Sequence, residues 1–327
     1  MAKKTIAVVY GGYSSEIVVS RKSAEGVISF IDSNRFNVYP VLIEHNHWSA
    51  TIEGEDIPVN RDDFSVTTTS GKIIPDCVYI TIHGTPGEDG LLQGYLKMTG
   101  IPHSTCEVLP AALTFNKFAC NNYLKGFGIR VANSVLLRKG TPYHLTEIAK
   151  NTGFPCFVKP NAGGSSFGVS KVHDIDKLDG AIEKAFAESN EVIIEQFIQG
   201  TEVTCGLYKT AAKTEIFPIT EVISHNEFFD FEAKYTPEKA MEITPARLEQ
   251  EVTLEIQNTS SFIYDIIGCK GIVRIDYIIS QGHLYLLEVN TTPGMTPTSF
   301  IPQQIKAKGL DIKKIFTEIL EDAMNRS

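Results

Sequence analysis

Near its start the chain alternates short apolar runs with glycine-rich or polar breaks. Residues 5–10 form an apolar run that stops at Gly11-Gly12, and residues 20–31 carry a helical pattern. Apolar runs at 37–43 and 77–82 predict two more strands, the second ending in His83-Gly84. Strand–helix alternation implies a parallel sheet, with its ligand crevice at the carboxyl ends of the strands. Both Gly11-Gly12 and His83-Gly84 fall at such ends. Residues 52–71 are polar and irregular and predict a surface excursion. Residues 91–98 predict a helix, and Gly100-Ile101-Pro102-His103 leads out of this region.

Beyond residue 105 the pattern changes. Residues 109–126 predict one helix with Asn116-Lys117 inside it, and 178–186 predict another. Strands are expected at 135–137, 157–159, 169–172 and 192–196. From there the chain reads as β-rich until a C-terminal helix at 312–324. These shifts divide the chain into residues 1–104, 105–190 and 191–327.

Composition narrows the class. The 327 residues suit two or three domains. A net charge of −9 with interspersed signs gives no footprint for nucleic acid or a membrane surface. Met1-Ala2-Lys3-Lys4 followed by an apolar run resembles a signal peptide, but the run is too short and passes directly into glycines. No segment approaches the roughly 20 apolar residues that a membrane span needs. Six cysteines without a Cys-x-x-Cys pair read as reduced core thiols, which places the chain in the cytoplasm.

The densest chemistry lies at Arg274-Ile275-Asp276 and Glu288-Val289-Asn290. Residues 272–279 and 284–289 are β-rich runs joined by Ser280-Gln281-Gly282-His283, a hairpin signal. Setting Asp276 opposite Glu288 also sets Arg274 opposite Asn290, and Ile275, Tyr277 and Ile279 opposite Val289, Leu287 and Tyr285. One face is then apolar and the other carries oxygen ligands and a guanidinium, and a one-residue slip would mix the two. That register favours a three-residue loop. Two carboxylates and an amide oxygen suit a hard cation such as Mg²⁺. A surface hairpin with solvated polar residues is the alternative, against which stand the arginine and the rigid Asn-Thr-Thr-Pro-Gly exit.

Other segments could serve the same chemistry. Residues 157–169 read as strand, glycine-rich loop and strand, whose backbone N–H groups could cradle phosphate beside Lys159. The spacing is neither a Walker A loop nor a dinucleotide fingerprint, and a flexible hairpin turn is the alternative. Glu195 and Glu202 could accept from an adenine amino group or a ribose hydroxyl, or simply be solvated at a strand end. Residues 225–235 lack a clean period and read either as an active-site lid, with Lys234 and Tyr235 at its tip, or as an aromatic segment packed on the core. Glu16 could neutralise a substrate ammonium or simply favour a helix N-terminus.

In this order the segments closely resemble the D-alanine–D-alanine ligases of the ATP-grasp superfamily. The resemblance runs from Ala7 to about Lys308. It rests on Gly11-Gly12-x-Ser14-x-Glu16, on His83-Gly84 with Gly87-Glu88-Asp89-Gly90 and Gln93-Gly94, and on Lys159-Pro160 with Gly164-Ser165-Ser166-x-Gly168. Glu232-Ala233-Lys234-Tyr235, Arg274-x-Asp276 and Glu288-x-Asn290-Thr291-x-Pro293-Gly294-Met295-Thr296 complete it. The resemblance implies an α/β (α+β), three-domain ATP-grasp fold with a Rossmann-like N-terminal parallel sheet, and a homodimer. It implies ATP-dependent joining of two D-alanine molecules through an acyl phosphate, for peptidoglycan precursors.

The same resemblance implies roles. Lys117, Lys159, Ser165 and Ser166 would bind ATP phosphates, Glu195 and Glu202 the adenine and ribose, and Phe197, Ile198 and Phe231 would complete the nucleotide site. Asp276, Glu288 and Asn290 would hold two Mg²⁺ ions, with Mn²⁺ as a substitute. Arg274 and the Gly294 N–H would form the oxyanion hole. Glu16 would take the first substrate's ammonium, with His83 beside its carboxylate. Ser299 and Lys234 would hold the second substrate's carboxylate, and Phe300 would supply backbone. Glu16, Ser165 and Tyr235 would link the first domain, the glycine loop and the lid.

Several positions depart from the family's common pattern: Ile17-Val18 after Glu16, Asn116 before the lysine, Gly163 in the loop, His103-Ser104-Thr105-Cys106 in the linker, and Phe197. None removes a metal ligand. D-Serine or D-lactate as the second substrate is the alternative within the class, although the Lys234-Tyr235 pair favours an amine over a hydroxyl. A regulatory protein that has lost catalysis conflicts with the complete ligand set, and a dehydrogenase lacks its glycine fingerprint.

Overall fold

The computed structural model describes residues 2–14, 16–164, 167–224 and 240–326. In the first sheet, β1 (Lys4–Gly11) lies between β2 (Phe36–Ile43) and a strand at Cys77–Ile80, both parallel to it. The region expected to be irregular is instead ordered. Strands β3 (Trp48–Ile52), β4 (Glu55–Asn60), β5 (Ser65–Thr68) and β6 (Gly71–Ile73) extend the sheet as antiparallel hairpins, so that Cys77–Ile80 is β7. Its outward residues are polar, and the inward Ala50, Val59, Phe64 and Val66 are too sparse to show a pattern, yet all are buried.

The two faces of this sheet follow strand parity. Ile6 and Val8 join the core beneath α1 (Ile17–Phe30), while Ala7 and Val9 join that beneath α2 (Leu91–Met98). The helix of the chain's end, residues 312–325, also packs on the first face. Its Ile315, Phe316, Ile319 and Leu320 are buried there, each contributing about 2 kcal/mol by area removed from water.

Asn116 divides the helix expected at 109–126. It adopts an extended conformation (φ −86°, ψ 96°), ends α3 (Val108–Phe115) and caps α4 (Lys117–Lys125) by accepting from the Ala119 N–H at 2.9 Å. The helical period runs unbroken through both, so periodicity did not reveal the cap. A second, antiparallel sheet follows, with β8 (Ser134–Arg138), β9 (Cys156–Pro160), β10 (Ser170–Val172) and β11 (Glu191–Gln196) in the order β10-β9-β11-β8. It is backed by α5 (Leu145–Thr152) and α6 (Leu178–Phe186).

The third sheet contains β12 (Thr201–Lys209), β13 (Thr214–Ile216), β14 (Thr220–Ser224), β15 (Ala240–Ile243), β16 (Val273–Ser280) and β17 (His283–Asn290). This third of the chain is less β-rich than expected. An 18-residue helix, α7 (Gln250–Ile267), covers the sheet with Ile256, Ile263 and Tyr264, and α8 (Phe300–Ala307) precedes α9 (Ile312–Asn325). Polar residues along α7 hid its apolar stripe.

The β16–β17 register matches the expectation at its functional end, with Arg274 opposite Asn290, Ile275 opposite Val289 and Asp276 opposite Glu288. Beyond Asp276 it differs. A bulge sets Tyr277 opposite Leu286 and Ile279 opposite Leu284, and the loop is the two-residue turn Gln281-Gly282. Both have positive φ, 49° and 75°, which suits the twist of a tight hairpin. The bulge supplies the one-residue offset that a three-residue loop would otherwise have provided. All six cysteines are buried and free. Among the described residues, no helix is long and apolar enough to cross a membrane.

Candidate active site

The site is built where the three sheets meet. On the third, strand parity projects Arg274, Asp276, Glu288 and Asn290 together, and β12 sets Thr204 opposite Asp276. Asp276 Oδ1 accepts from Arg274 Nε at 2.9 Å and Thr204 Oγ1 at 2.6 Å; Oδ2 accepts from Arg274 Nη2 at 2.7 Å and Asn290 Nδ2 at 3.1 Å. A carboxylate has about four acceptor positions, so this one is filled. Asn290 Nδ2 also lies 3.4 Å from Glu288 Oε1, and Arg274 Nη2 is 3.9 Å from the same oxygen. Burial disfavours the Arg274 charge, but Asp276, Glu288 and Glu202 outweigh it and hold the guanidinium firmly protonated. Phe300 lies beneath it, with the ring centroid 5.4 Å away.

The second sheet presents a different wall. β9 and β11 pair so that Phe157, Lys159 and Glu195 share one face. Lys159 Nζ is 2.5 Å from Glu195 Oε2, and Asn121 Nδ2 donates to the other oxygen at 3.0 Å. Burial alone would lower the Lys159 pKa, but Glu195 outweighs it and the pKa is raised. Phe197 stacks at a tilt on Phe157 and carries the Lys171 ammonium 4.3 Å above its ring. Ile198 follows, half-buried, where β11 has ended. Lys117 joins the two walls: its ammonium donates to the Gly163 carbonyl at 2.6 Å and lies 3.7 Å from Glu288 Oε2.

The first sheet closes the site from its carboxyl edge. Glu16 stands at the start of α1 and is only 5% exposed. Glycines make room for it. A Cβ on Gly164 would lie 2.7 Å from Glu16 Oε1, and one on Gly84 would lie 3.2 Å from Oε2 and 2.6 Å from Ser14 Oγ. His83 is buried, with Nε2 3.0 Å from Ser23 Oγ. Burial, reinforced by the Arg274 charge, pushes its pKa down to about 4, so the ring is neutral at pH 7. Glu88 accepts from the Gly84 N–H at 2.7 Å, and burial together with Glu16 pushes its pKa up.

Residues 5–106 match the family profile described as D-ala D-ala ligase N-terminus, and residues 123–321 match the D-ala D-ala ligase C-terminus. A D-alanine–D-alanine ligase of Phocaeicola vulgatus is 57% identical over 98% of this chain and 99% of its own length. The chain belongs to the D-alanine–D-alanine ligase family. A ligase of the same name from Porphyromonas gingivalis is 49% identical over 100% of both chains. Among solved structures, VanG D-Ala:D-Ser ligase of Enterococcus faecalis has a TM-score of 0.87 at 32% identity, covering 98% of this chain and 99% of its own. The D-alanyl-alanine synthetase A of Vibrio cholerae has a TM-score of 0.89 at 29% identity, covering 99% of both chains. The fold is therefore the mixed α/β ATP-grasp fold of these ligases.

With the D-alanine–D-alanine ligase family established, the expected site residues can be located. Glu16, His83, Lys117, Lys159, Glu195, Arg274, Asp276, Glu288 and Asn290 line the meeting of the sheets, and Glu202 shares the strand face of Thr204 and Asp276. Gly294 faces Ser299, whose Oγ would lie 3.1 Å from a Cβ there. Ser299 Oγ is engaged with the Thr296 N–H at 3.0 Å and the Thr296 hydroxyl at 2.8 Å, and precedes the first turn of α8. Ser165, Ser166, Phe231, Lys234 and Tyr235 lie outside the described residues.

Oxygen donors at Asp276, Glu288 and Asn290 fit a hard cation. The Asn290 amide turns its N–H to both carboxylates, within 3.4 Å, and turning the amide over would present oxygen instead.

Sequence reading missed four supports: Thr204 on Asp276, Asn121 on Glu195, Ser23 on His83, and Lys171 over Phe197. Only Lys171 left a signal, since its place opposite Phe157 follows from the alternation of β10.

Proposed function

We propose that this ligase joins two D-alanine molecules at the expense of ATP, through an acyl phosphate, giving D-alanyl-D-alanine, ADP and phosphate. The reading rests on one observation above the others: Lys117 reaches both the glycine loop, at 2.6 Å, and Glu288 of the hairpin, at 3.7 Å. Phosphate-binding and oxygen-ligand walls thus share one cleft.

In this reading the triphosphate lies between Lys159, Lys117 and the loop, and its adenosine lies along Glu195, Phe197, Ile198 and Glu202. Two Mg²⁺ ions, or Mn²⁺ in their place, held by Asp276, Glu288 and Asn290, would neutralise the triphosphate. Glu16 receives the ammonium of the first D-alanine, which leaves its carboxylate directed toward Arg274. A neutral His83 adds no charge that would compete with that arrangement. Arg274, already oriented by Asp276, and the Gly294 N–H stabilise the oxygen charge that grows in both steps. Ser299, with the Phe300 backbone and Lys234, positions the second D-alanine so that its amine attacks the acyl carbon. Ser165 and Tyr235, which lie outside the described residues, would link Glu16 to a lid that keeps water from the acyl phosphate. The organisation follows as three units, 1–104, 105–190 and 191–327, in a cytoplasmic homodimer that supplies peptidoglycan precursors.

Phosphate release from ATP with Mg²⁺ tests this reading, with D-alanine compared against L-alanine, D-serine and D-lactate. Release is expected with D-alanine alone and should be stereospecific. Absence of release above background with D-alanine would reject the function, and equal use of D-serine or D-lactate as second substrate would change its assignment.

A further inference from the structure

Lys117 and the glycine loop are tied together by a buried amide network. Asn161 is fully buried where β9 passes into the loop. Its Oδ1 accepts from the Phe118 N–H at 2.8 Å, and its Nδ2 donates to Asn116 Oδ1 at 2.9 Å and to Glu191 Oε2 at 2.8 Å. Asn116 Oδ1 also accepts from the Ala119 N–H at 2.9 Å, and its Nδ2 lies 3.4 Å from Glu191 Oε2. Backbone N–H groups can only donate, so Phe118 and Ala119 dictate which way both amides face. Both then turn N–H toward Glu191, whose other oxygen is held by Arg138 at 2.9 Å.

The backbone closes the same joint. Lys117 N–H donates to the Asn161 carbonyl at 3.1 Å, and Asn161 N–H donates to the Glu191 carbonyl at 2.9 Å. Cys120 N–H donates to the Asn116 carbonyl at 2.9 Å, so all four leading N–H groups of α4 are satisfied by residues 116 and 161. What α4 offers to the cleft is therefore the Lys117 ammonium, and Asn161 sets where it starts from.

We propose that Asn161, joined to Asn116 and Glu191, is a positioning residue for the ligase reaction that locks Lys117 and the glycine loop into one phosphate-binding unit. This rests on the reading of Lys117 and the loop as ATP-phosphate contacts. Without the Asn161 side chain, the Phe118 N–H and the Asn116 and Glu191 side chains lose their shared partner, and the joint is left to backbone bonds and to the Lys117 side chain, a flexible four-carbon stem. The network also accounts for asparagine at 116. A carboxylate there would face Glu191 at 3.4 Å, whereas the amide donates to it.

The test compares the full-length wild type with Asn161→Ala, Asn161→Asp and the double variant that adds Glu191→Gln to Asn161→Asp. ADP formation gives kcat and KM for ATP and for D-alanine, and thermal unfolding is measured alongside. Asn161→Ala should raise the KM for ATP about tenfold while that for D-alanine moves less than about twofold. Asn161→Asp should be worse, because its carboxylate faces Glu191. The double variant should bring the KM for ATP at least about threefold below that of Asn161→Asp, since the amide introduced at position 191 donates to the new carboxylate while the Asn116 oxygen still faces it. An unchanged KM for ATP, equal rises for both substrates, or no rescue would overturn the proposal. If Asn161→Ala does not fold, the Asn161→Asp pair decides on the rescue alone. Inactivity of the wild type with D-alanine would instead reject the parent reading of the site.

Discussion

The two walls of the cleft hold their cations by opposite means. On the β16–β17 hairpin, Arg274 is fixed by Asp276 two residues away, and Asn290 by Asp276 fourteen away. On the central wall, Lys159 is fixed by Glu195, Glu195 by Asn121 at a separation of 74, and Lys117 by Gly163 at 46. One wall is thus held mostly within a single supersecondary unit, to which β12 adds Thr204, while the other exists only once distant elements have packed. The hairpin should tolerate disturbance elsewhere in the fold, and the central wall should not.

Removing one charge from the hairpin gives the largest expected effect. Glu288→Gln should lower kcat by at least about 10³, because a ligand for the triphosphate's counter-charge is lost. Glu288 is not part of the apolar core, so thermal unfolding should shift little; a large shift would mean that the hairpin depends on it structurally. Arg274→Met separates the two roles. It should cost kcat about 10²–10³ and also about 3 kcal/mol of stability, since Asp276 would be left buried without its bidentate partner. Chemical denaturation of the variant measures the second part, and unchanged stability would show that Asp276 finds another partner.

Acid should reveal the buried histidine of the first sheet. His83 titrates at about 4 in the folded chain, against 6.5 as its ordinary value. Between these values the unfolded chain binds a proton that the folded one does not, so stability rises with pH across the window. Acidification from pH 6.5 to pH 4 should therefore remove about 3 kcal/mol through this group. His83→Gln should flatten that part of the stability curve; an unaltered slope would assign it to other groups. The smallest effect belongs to the central wall's outer support. Asn121→Ala should raise the KM for ATP by about threefold, as Glu195 loses one of its two partners. No change would mean that Lys159 alone orients Glu195.

The contrast between the walls also explains what could be read from the sequence. Arg274, Asp276, Glu288 and Asn290 were legible because period-two alternation and hairpin pairing are local rules. The bulge after Asp276 was not, since Tyr277, Ile278 and Ile279 are all acceptable strand residues in either register. Lys117, Lys159 and Glu195 were visible as motif residues, but the residues that support them were not. Asn121 and Glu191 carry no local mark of their function, and the bonds they make span 30 to 75 positions. In the first sheet the parallel core was plain from its apolar runs, whereas the antiparallel extension was hidden by polar outward faces. Helix α7 was lost for a related reason: Gln257, Asn258, Thr259 and Ser260 interrupt its stripe, although Ser260 is buried against Tyr277.

The central claim is that the cleft makes an acyl phosphate from the first D-alanine. Carboxyl-¹⁸O-labelled D-alanine tests it directly, with the released phosphate and nucleotide analysed by mass spectrometry. The carboxylate oxygen that attacks the γ-phosphorus leaves with phosphate when the second amine displaces it. One labelled oxygen should therefore appear in inorganic phosphate for each dipeptide formed, with ADP as the nucleotide product. Label in AMP, or unlabelled phosphate accompanying dipeptide, would contradict it.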